Sequence, residues 1–300
     1  MSDMYVGVTD NDWFKFLRDR QPDEVNFWKP KGTPFKALQP GGLFFFKLHA
    51  PLRKIAGYGI FVEAPILPLK LAWDAFGEKN GVSSLNDLQR RIARYRRDHD
   101  PNPYITCIML AQPVFRPDEG WMQQPSAWGD SIVSGKGYEA DSSDGKRMYK
   151  FAEELLSVVD NGIVADNRQR YQHRLQKVRY GQGTFRILVT ESYQRRCAIT
   201  GERTLPVLEA AHIKPYALDG QHNVQNGLLL RSDVHTLFDD GYITVTTDHR
   251  VEVSRRIKEQ YENGRDYYKH HGNKLIVLPS VEEQPDRDLL LWHNEHVYQG

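Results

Sequence analysis

Between Pro206 and Gly241 the chain has few choices. PVLEAAHI (206–213) is an apolar run that reads as a strand ending at His212, and Pro215 closes it off. A loop with Asp219, Gly220 and the pair Asn226-Gly227 follows. LLLRSDVHTLFDDG (228–241) then starts as an apolar run and becomes a helix. On a helix His235 and Asp239 are four apart, so they share a face about one turn from each other. An imidazole and a carboxylate at that spacing are a nitrogen-and-oxygen pair able to hold a divalent cation. His212, on the strand before the loop, can face the same ion from the other side.

The intervals within this stretch are specific. His212 to Asn226 is 14 positions, Asn226 to His235 is 9, and His235 to Asp239 is 4. With the phrases CAITG, EAAHIKP, NGLLL and HTLFD they resemble the HNH endonuclease family, the branch found in bacterial restriction enzymes, built on a ββα-metal fold. The resemblance implies that His212 is the general base that takes a proton from the attacking water. The ordinary histidine pKa of roughly 6.5 suits that work at neutral pH. Asn226 is then the residue that braces the loop and orients the base. His235 is a metal ligand and part of the catalytic set, and Asp239 falls on a second ligand position. The position before the base is often a ligand in the family, but here it is Ala211. Glu209, two residues earlier along the strand, is the candidate substitute. The family implies a divalent ion, with Mg²⁺ first and Mn²⁺, Ni²⁺ or Co²⁺ as alternatives.

Only two cysteines are present, Cys107 and Cys197. They cannot supply the two CxxC pairs that knit some HNH proteins, so no structural zinc is expected. Cys197 reads as a buried small residue. Asp240 competes with Asp239 for the ligand role, and Asp239 also reads as a residue of the turn before Gly241. His222 reads as a solvent or phosphate contact in the loop. His293 and His296 read as packing or surface residues of a terminal helix.

The net charge is only +1, from 40 Lys and Arg against 39 Asp and Glu, which excludes a bulk polycation and a strongly acidic disordered chain. The balance hides a local bias. Residues 166–186 hold six basic side chains and one acidic one, directly before the motif. Arg179 and Arg186 from this segment, with Lys214 beside His212, are the expected phosphate contacts. The alternative for such a run is a solvated helix face.

The first half reads as α+β. YVGVT, VNFW, GGLFFFKLHAP, KIAGYGIFVEA and ITCIMLAQPVFR are strand-like, with helical runs after Asp10, at LKLAWDAFG and after Ser84. Residues 4–138 resemble the PUA-like superfamily, which includes EVE, ASCH and YTH domains, on YVGVTDNDWF, EVNFWKP, LQPGGLFFFKLHAP, KIAGYGIF, LAWDAFGEKNG and WGDSIVSGKGY. That resemblance implies an aromatic pocket that seats one extruded base, in some relatives a modified one. Flipping a base costs a few kcal/mol, offset by stacking and by bonds to its edge. The candidates are Asn26, Trp28, Lys47, Tyr58 and Trp73. Lys47, a cation in an apolar strand, needs a partner or a phosphate.

The expected fold is therefore α+β, with an N-terminal PUA-like β-barrel with flanking helices and a C-terminal ββα-metal HNH domain. The expected segments are residues 1–140 as base reader, 141–183 as a helical basic linker and 184–300 as nuclease. The expected activity is metal-dependent cleavage of double-stranded DNA, directed to modified cytosine by the reader and used in restriction. The alternatives are a nuclease targeted by sequence or structure, and a catalytically weak nucleic-acid binder or sensor that has lost a ligand at Ala211. A homodimer is possible, because one site per chain cuts one strand at a time. The start lacks a signal-peptide pattern and no apolar run reaches a membrane span of roughly 18 residues, so a cytoplasmic protein with no membrane partner is expected.

Overall fold

The computed structural model describes residues 2–129, 131–153 and 178–300, which form two compact units, Met1–Gly181 and Gln182–Gly300. Among the described residues no helix is long and apolar enough to cross a membrane.

The N-terminal unit is built on one mixed sheet. Its strands are β1 (Ser2–Thr9), β2 (Glu24–Lys29), β3 (Leu38–Leu48), β4 (Lys54–Glu63), β5 (Ile66–Pro68), β6 (Tyr104–Phe115), β7 (Met122–Gln123) and β8 (Gly135–Tyr138). The ladder runs β2-β6-β4-β3-β1-β8, with β5 added to β6 and β7 to β4. Only β1 and β3 pair in parallel within it. Helix α1 (Asn11–Arg18) begins where Asp10 caps it, its carboxylate accepting the amides of Asp12 and Trp13. Trp13, Phe14 and Leu17 on its buried face pack with Phe44, Phe46 and Leu48 of β3 and Ile108 and Leu110 of β6. Helices α2 (Leu69–Phe76) and α3 (Leu85–Ala93) follow β5, and Ser84 caps α3 as its position in the sequence predicts.

GKGY (135–138) is strand β8, hydrogen-bonded to β1, inside the segment expected as base reader. Ser142 caps helix α4 (Ser143–Phe151), and buried Asp144 accepts the amides of Ser126 and Ala127. Phe151 packs edge-on to Tyr58. Glycine and serine here serve a strand and a cap, which local composition alone cannot distinguish from a flexible connection. Most of the expected basic linker, including Arg168 to Lys177, lies outside the described residues.

The C-terminal unit opens with α5 (Gln182–Ser192). A two-stranded antiparallel ladder follows, β9 (Leu208–His212) with β10 (Gly227–Arg231), leading directly into α6 (Ser232–Asp239). This is the ββα order the motif predicts. A second ladder, β11 (Ile243–Val245) with β12 (Val251–Val253), two short helices α7 (Arg256–Tyr261) and α8 (Arg265–Tyr268), and α9 (Arg287–His296) complete the unit. One core joins them: Phe185 and Val189 of α5, Leu228 to Leu230 of β10, Val234 and Phe238 of α6, and Leu290 of α9. Gly227 is not a turn glycine. It lies opposite His212 in the ladder, and a Cβ there would come within 2.4 Å of Val189 and 3.1 Å of the Phe185 ring. The Asn-Gly pair thus lets α5 pack close against the strand pair.

Candidate active site

His212 ends β9, half-buried. The Phe185 ring of α5 stacks on its face, with centroids 4.0 Å apart and planes 13° from parallel. Its Nε2 lies 2.9 Å from Nδ1 of His222, and the Tyr216 ring stacks on His222 at 4.5 Å. Burial first, and then the neighbouring His222 imidazole, push the pKa of His212 down to about 4. The side chain is therefore neutral at physiological pH, further from 6.5 than its sequence suggests.

Asn226 is fully buried, and all its polar atoms are used. Its Oδ1 accepts the Lys214 amide, and its Nδ2 donates to the carbonyls of Lys214 and Gln221, each at 2.9 Å. Its own amide donates to Oδ1 of Asn223 at 2.8 Å. One side chain thereby ties together both ends of the loop that follows His212. A buried amide with every group paired is a rigid brace.

His235 projects from α6 between two carboxylates. Its Nδ1 is 2.7 Å from Oε2 of Glu209, and its Nε2 is 3.2 Å from Oδ2 of Asp239. Burial alone would lower its pKa, but the bonds to Asp239 and Glu209 outweigh burial and raise it. The ring nitrogens of an imidazole point away from each other, so an ion on Nε2 is within reach of Asp239 and an ion on Nδ1 within reach of Glu209. Ala211 is fully buried in the core, whereas the Glu209 side chain is 48% exposed and turned to His235. The Glu209 carboxylate meets the ring at Nδ1. Among the described residues no three His, Cys, Asp or Glu side chains are arranged to hold an ion. His235 Nε2 and Asp239 fit a divalent ion as a pair of donors, with the remaining positions left to water and phosphate oxygen. Asp240 follows α6 as its cap, its carbonyl accepting from Gln299.

Lys214 holds its ammonium 5.6 Å from the centre of the Trp292 ring, and Arg186 lies on α5 next to Phe185. Arg179 is exposed and belongs to the N-terminal unit. His293 is buried, stacked on Phe238, and bonded to Thr244 at 2.8 Å and to the Phe238 carbonyl at 3.2 Å. His296 bonds the Trp292 carbonyl and stacks on that ring. His293 is a packing residue and His296 an exposed one, the two roles the sequence suggests for this helix. Cys197 is buried, and its sulfur accepts the amides of Thr200 and Arg231 at 3.3 Å.

Residues 197–246 match a family model described as HNH endonuclease. The C-terminal unit carries an HNH endonuclease domain. No curated protein matches the chain. Among solved structures, an ASCH protein from Zymomonas mobilis is similar over 52% of this chain and 95% of its own, at 11% identity and a TM-score of 0.33. A modification-dependent restriction endonuclease, TagI, is similar over 92% of this chain and 75% of its own, at 14% identity and a TM-score of 0.29. Both scores are too low to carry a function.

In the N-terminal unit the expected base-binding residues lie on β2, β3, β4 and α2. The Asn26 amide donates to the Asn80 side chain at 2.8 Å, and the Trp28 indole donates to the Asn80 carbonyl at 3.0 Å. Asn80 in turn donates to the carbonyls of Ala72 and Gly77, which fixes the turn after α2. Tyr58 is fully buried, between Phe45 and Phe151. Lys47 meets its need for a partner with the Trp128 ring, 4.7 Å from its ammonium, and burial and Arg53 lower its pKa. Trp73 is half-buried on α2. Sequence reasoning read His222 as a solvent or phosphate contact and passed over Phe185, yet both rings touch the HNH domain's first histidine. Neither belongs to the motif, and only the folded loop and α5 bring them there.

Proposed function

We propose that this protein is a metal-dependent DNA endonuclease in which His212 is the general base. What supports the reading is one arrangement: a neutral, half-buried His212, a loop locked by Asn226, and a His235–Asp239 pair on the following helix. His212 takes the proton of the attacking water. Asn226 keeps His212 in register with the loop, and Glu209 holds the His235 ring so that Nε2 faces Asp239. A divalent ion on His235 and Asp239 would supply positive charge to the scissile phosphate and the leaving oxygen. Lys214 and Arg186 are the proposed phosphate contacts within this domain. Cleavage of both strands takes two chains or two successive nicks.

Restriction of DNA with modified cytosine rests on the resemblance of residues 4–138 to base-reading domains. A second reading, targeting by sequence or DNA structure, is favoured by the Asn26–Asn80 network and the buried Tyr58, which leave those side chains engaged with the protein itself. The test is a paired assay with Mg²⁺, Mn²⁺, Co²⁺ and Ni²⁺ on one plasmid prepared unmodified, methylated and hydroxymethylated at cytosine. Preferential cleavage of a modified form supports the first reading. Equal cleavage sinks modification dependence and keeps the nuclease, and no cleavage of any form favours the binder or sensor.

A further inference from the structure

The general base needs one particular nitrogen to carry a lone pair, and a histidine alone does not choose. Its tautomer is set by the hydrogen bond made at the other ring nitrogen. His212 makes one such bond among the described residues, from Nε2 to Nδ1 of His222 at 2.9 Å. We propose that His222 is the positioning residue for His212, accepting its Nε2–H and so leaving the lone pair of His212 on Nδ1. The inference rests on the reading of His212 as the base. The reverse assignment, with His222 donating, would place the His212 proton on Nδ1, where no described residue accepts it.

Three further observations fit a built pair. Phe185 and Tyr216 hold the outer faces of the two rings, at 4.0 and 4.5 Å and within 13° and 6° of parallel. The brace also acts on both partners at once, because Asn226 bonds the backbone of Gln221, next to His222, and of Lys214, two residues after His212. The spacing of the two imidazoles is therefore set by the same buried amide that closes the loop. Finally, as His212 accepts a proton on Nδ1 it becomes an imidazolium, and the bond from its Nε2–H to His222 becomes charge-assisted and stronger. The pair thus favours the proton-accepting step.

The test combines a direct readout with kinetics on the full chain. Long-range ¹H–¹⁵N spectra of the ¹⁵N-labelled protein, with His212 assigned by loss of its signals in His212→Ala, report which ring nitrogen carries the proton. The expected result is Nε2–H in the wild type and a mixture in His222→Ala. His222→Gln, whose side-chain carbonyl can accept the same proton, is expected to restore Nε2–H. On whichever plasmid the wild type nicks, kcat should fall about 10–100-fold in His222→Ala with KM little changed, and recover most of the loss in His222→Gln. A wild-type His212 with Nδ1–H, or a tautomer that ignores His222→Ala, overturns the proposal. So does an activity loss that saturating Mn²⁺ fully repairs, because His222 would then be a metal ligand. If the wild type nicks no plasmid, the nuclease reading fails separately, and the spectra still decide whether His222 sets the tautomer.

Discussion

The two units place their candidate site residues differently. In the N-terminal unit Asn26, Trp28 and Asn80 close on one another. The HNH domain has a sealed pair of the same kind, Thr244 with His293, but its candidate site residues keep partial exposure, His212 paired with His222 and His235 with the exposed carboxylates of Glu209 and Asp239, around the fully buried Asn226. A group paired within the fold and sealed from solvent contributes to stability. One held in place yet still partly exposed is available for chemistry. The contrast separates framework from machinery without reference to any family.

The comparison is broken most easily at Asn226. Asn226→Ala strips three side-chain bonds and leaves backbone groups of Lys214 and Gln221 short of partners. The expected cost is about 2–4 kcal/mol of unfolding free energy, with nicking reduced at least tenfold. Thermal unfolding and single-turnover nicking check both, and an intact rate would mean the loop needs no brace. Glu209→Gln is milder. It preserves shape but removes the charge that orients His235, so nicking should fall about tenfold and the metal concentration needed should rise. A shift in neither would return Glu209 to the solvent.

The opposite outcome is expected in the N-terminal unit. Asn80→Ala removes the partner of Asn26 and the anchor of the turn after α2, costing about 1–3 kcal/mol by denaturant unfolding. The rate of phosphodiester cleavage at saturating DNA should stay within about twofold of wild type, and a larger fall would show the framework reading to be wrong.

The comparison can also be made through pH. Burial holds both His212 and His293 neutral in the fold, each with a pKa of about 4. The unfolded chain binds protons at these side chains near pH 6.5 and the folded one only near 4. Their contribution to stability is therefore complete above about 6.5 and is lost as pH falls towards 4. His235, with its pKa raised, acts in the opposite sense, stabilising below the unfolded value and losing that contribution as pH rises through the folded one. His293→Leu should reduce the loss of melting temperature between pH 7 and 4, each protein compared with itself at pH 7. Equal losses would mean that His293 is protonated in the fold.

The HNH residues were legible in sequence because the fold writes them locally. A strand, a loop and a helix within residues 208–239 fix the relative positions of His212, Asn226, His235 and Asp239. Glu209 was legible as a neighbour but not by function, since only the folded geometry shows which ring nitrogen of His235 it reaches. The placement of the candidate base-binding residues is not written locally. Asn26, Lys47, Tyr58 and Trp73 lie on four separate elements, and their mutual placement depends on the strand order β2-β6-β4-β3, which alternation along each strand does not encode. Lys47 was read correctly as needing a partner, but Trp128 lies 81 positions further along the chain and was out of view.

The central claim is that His212 removes the proton in a metal-assisted cut. The direct measurement is nicking of supercoiled plasmid by wild type and His212→Ala, each with Mg²⁺ or Mn²⁺ and with EDTA, at matched folded concentration. A rate that needs the ion and falls at least 100-fold in His212→Ala, while the variant still binds the plasmid, is the predicted result. Nicking that survives either the chelator or the substitution would contradict it.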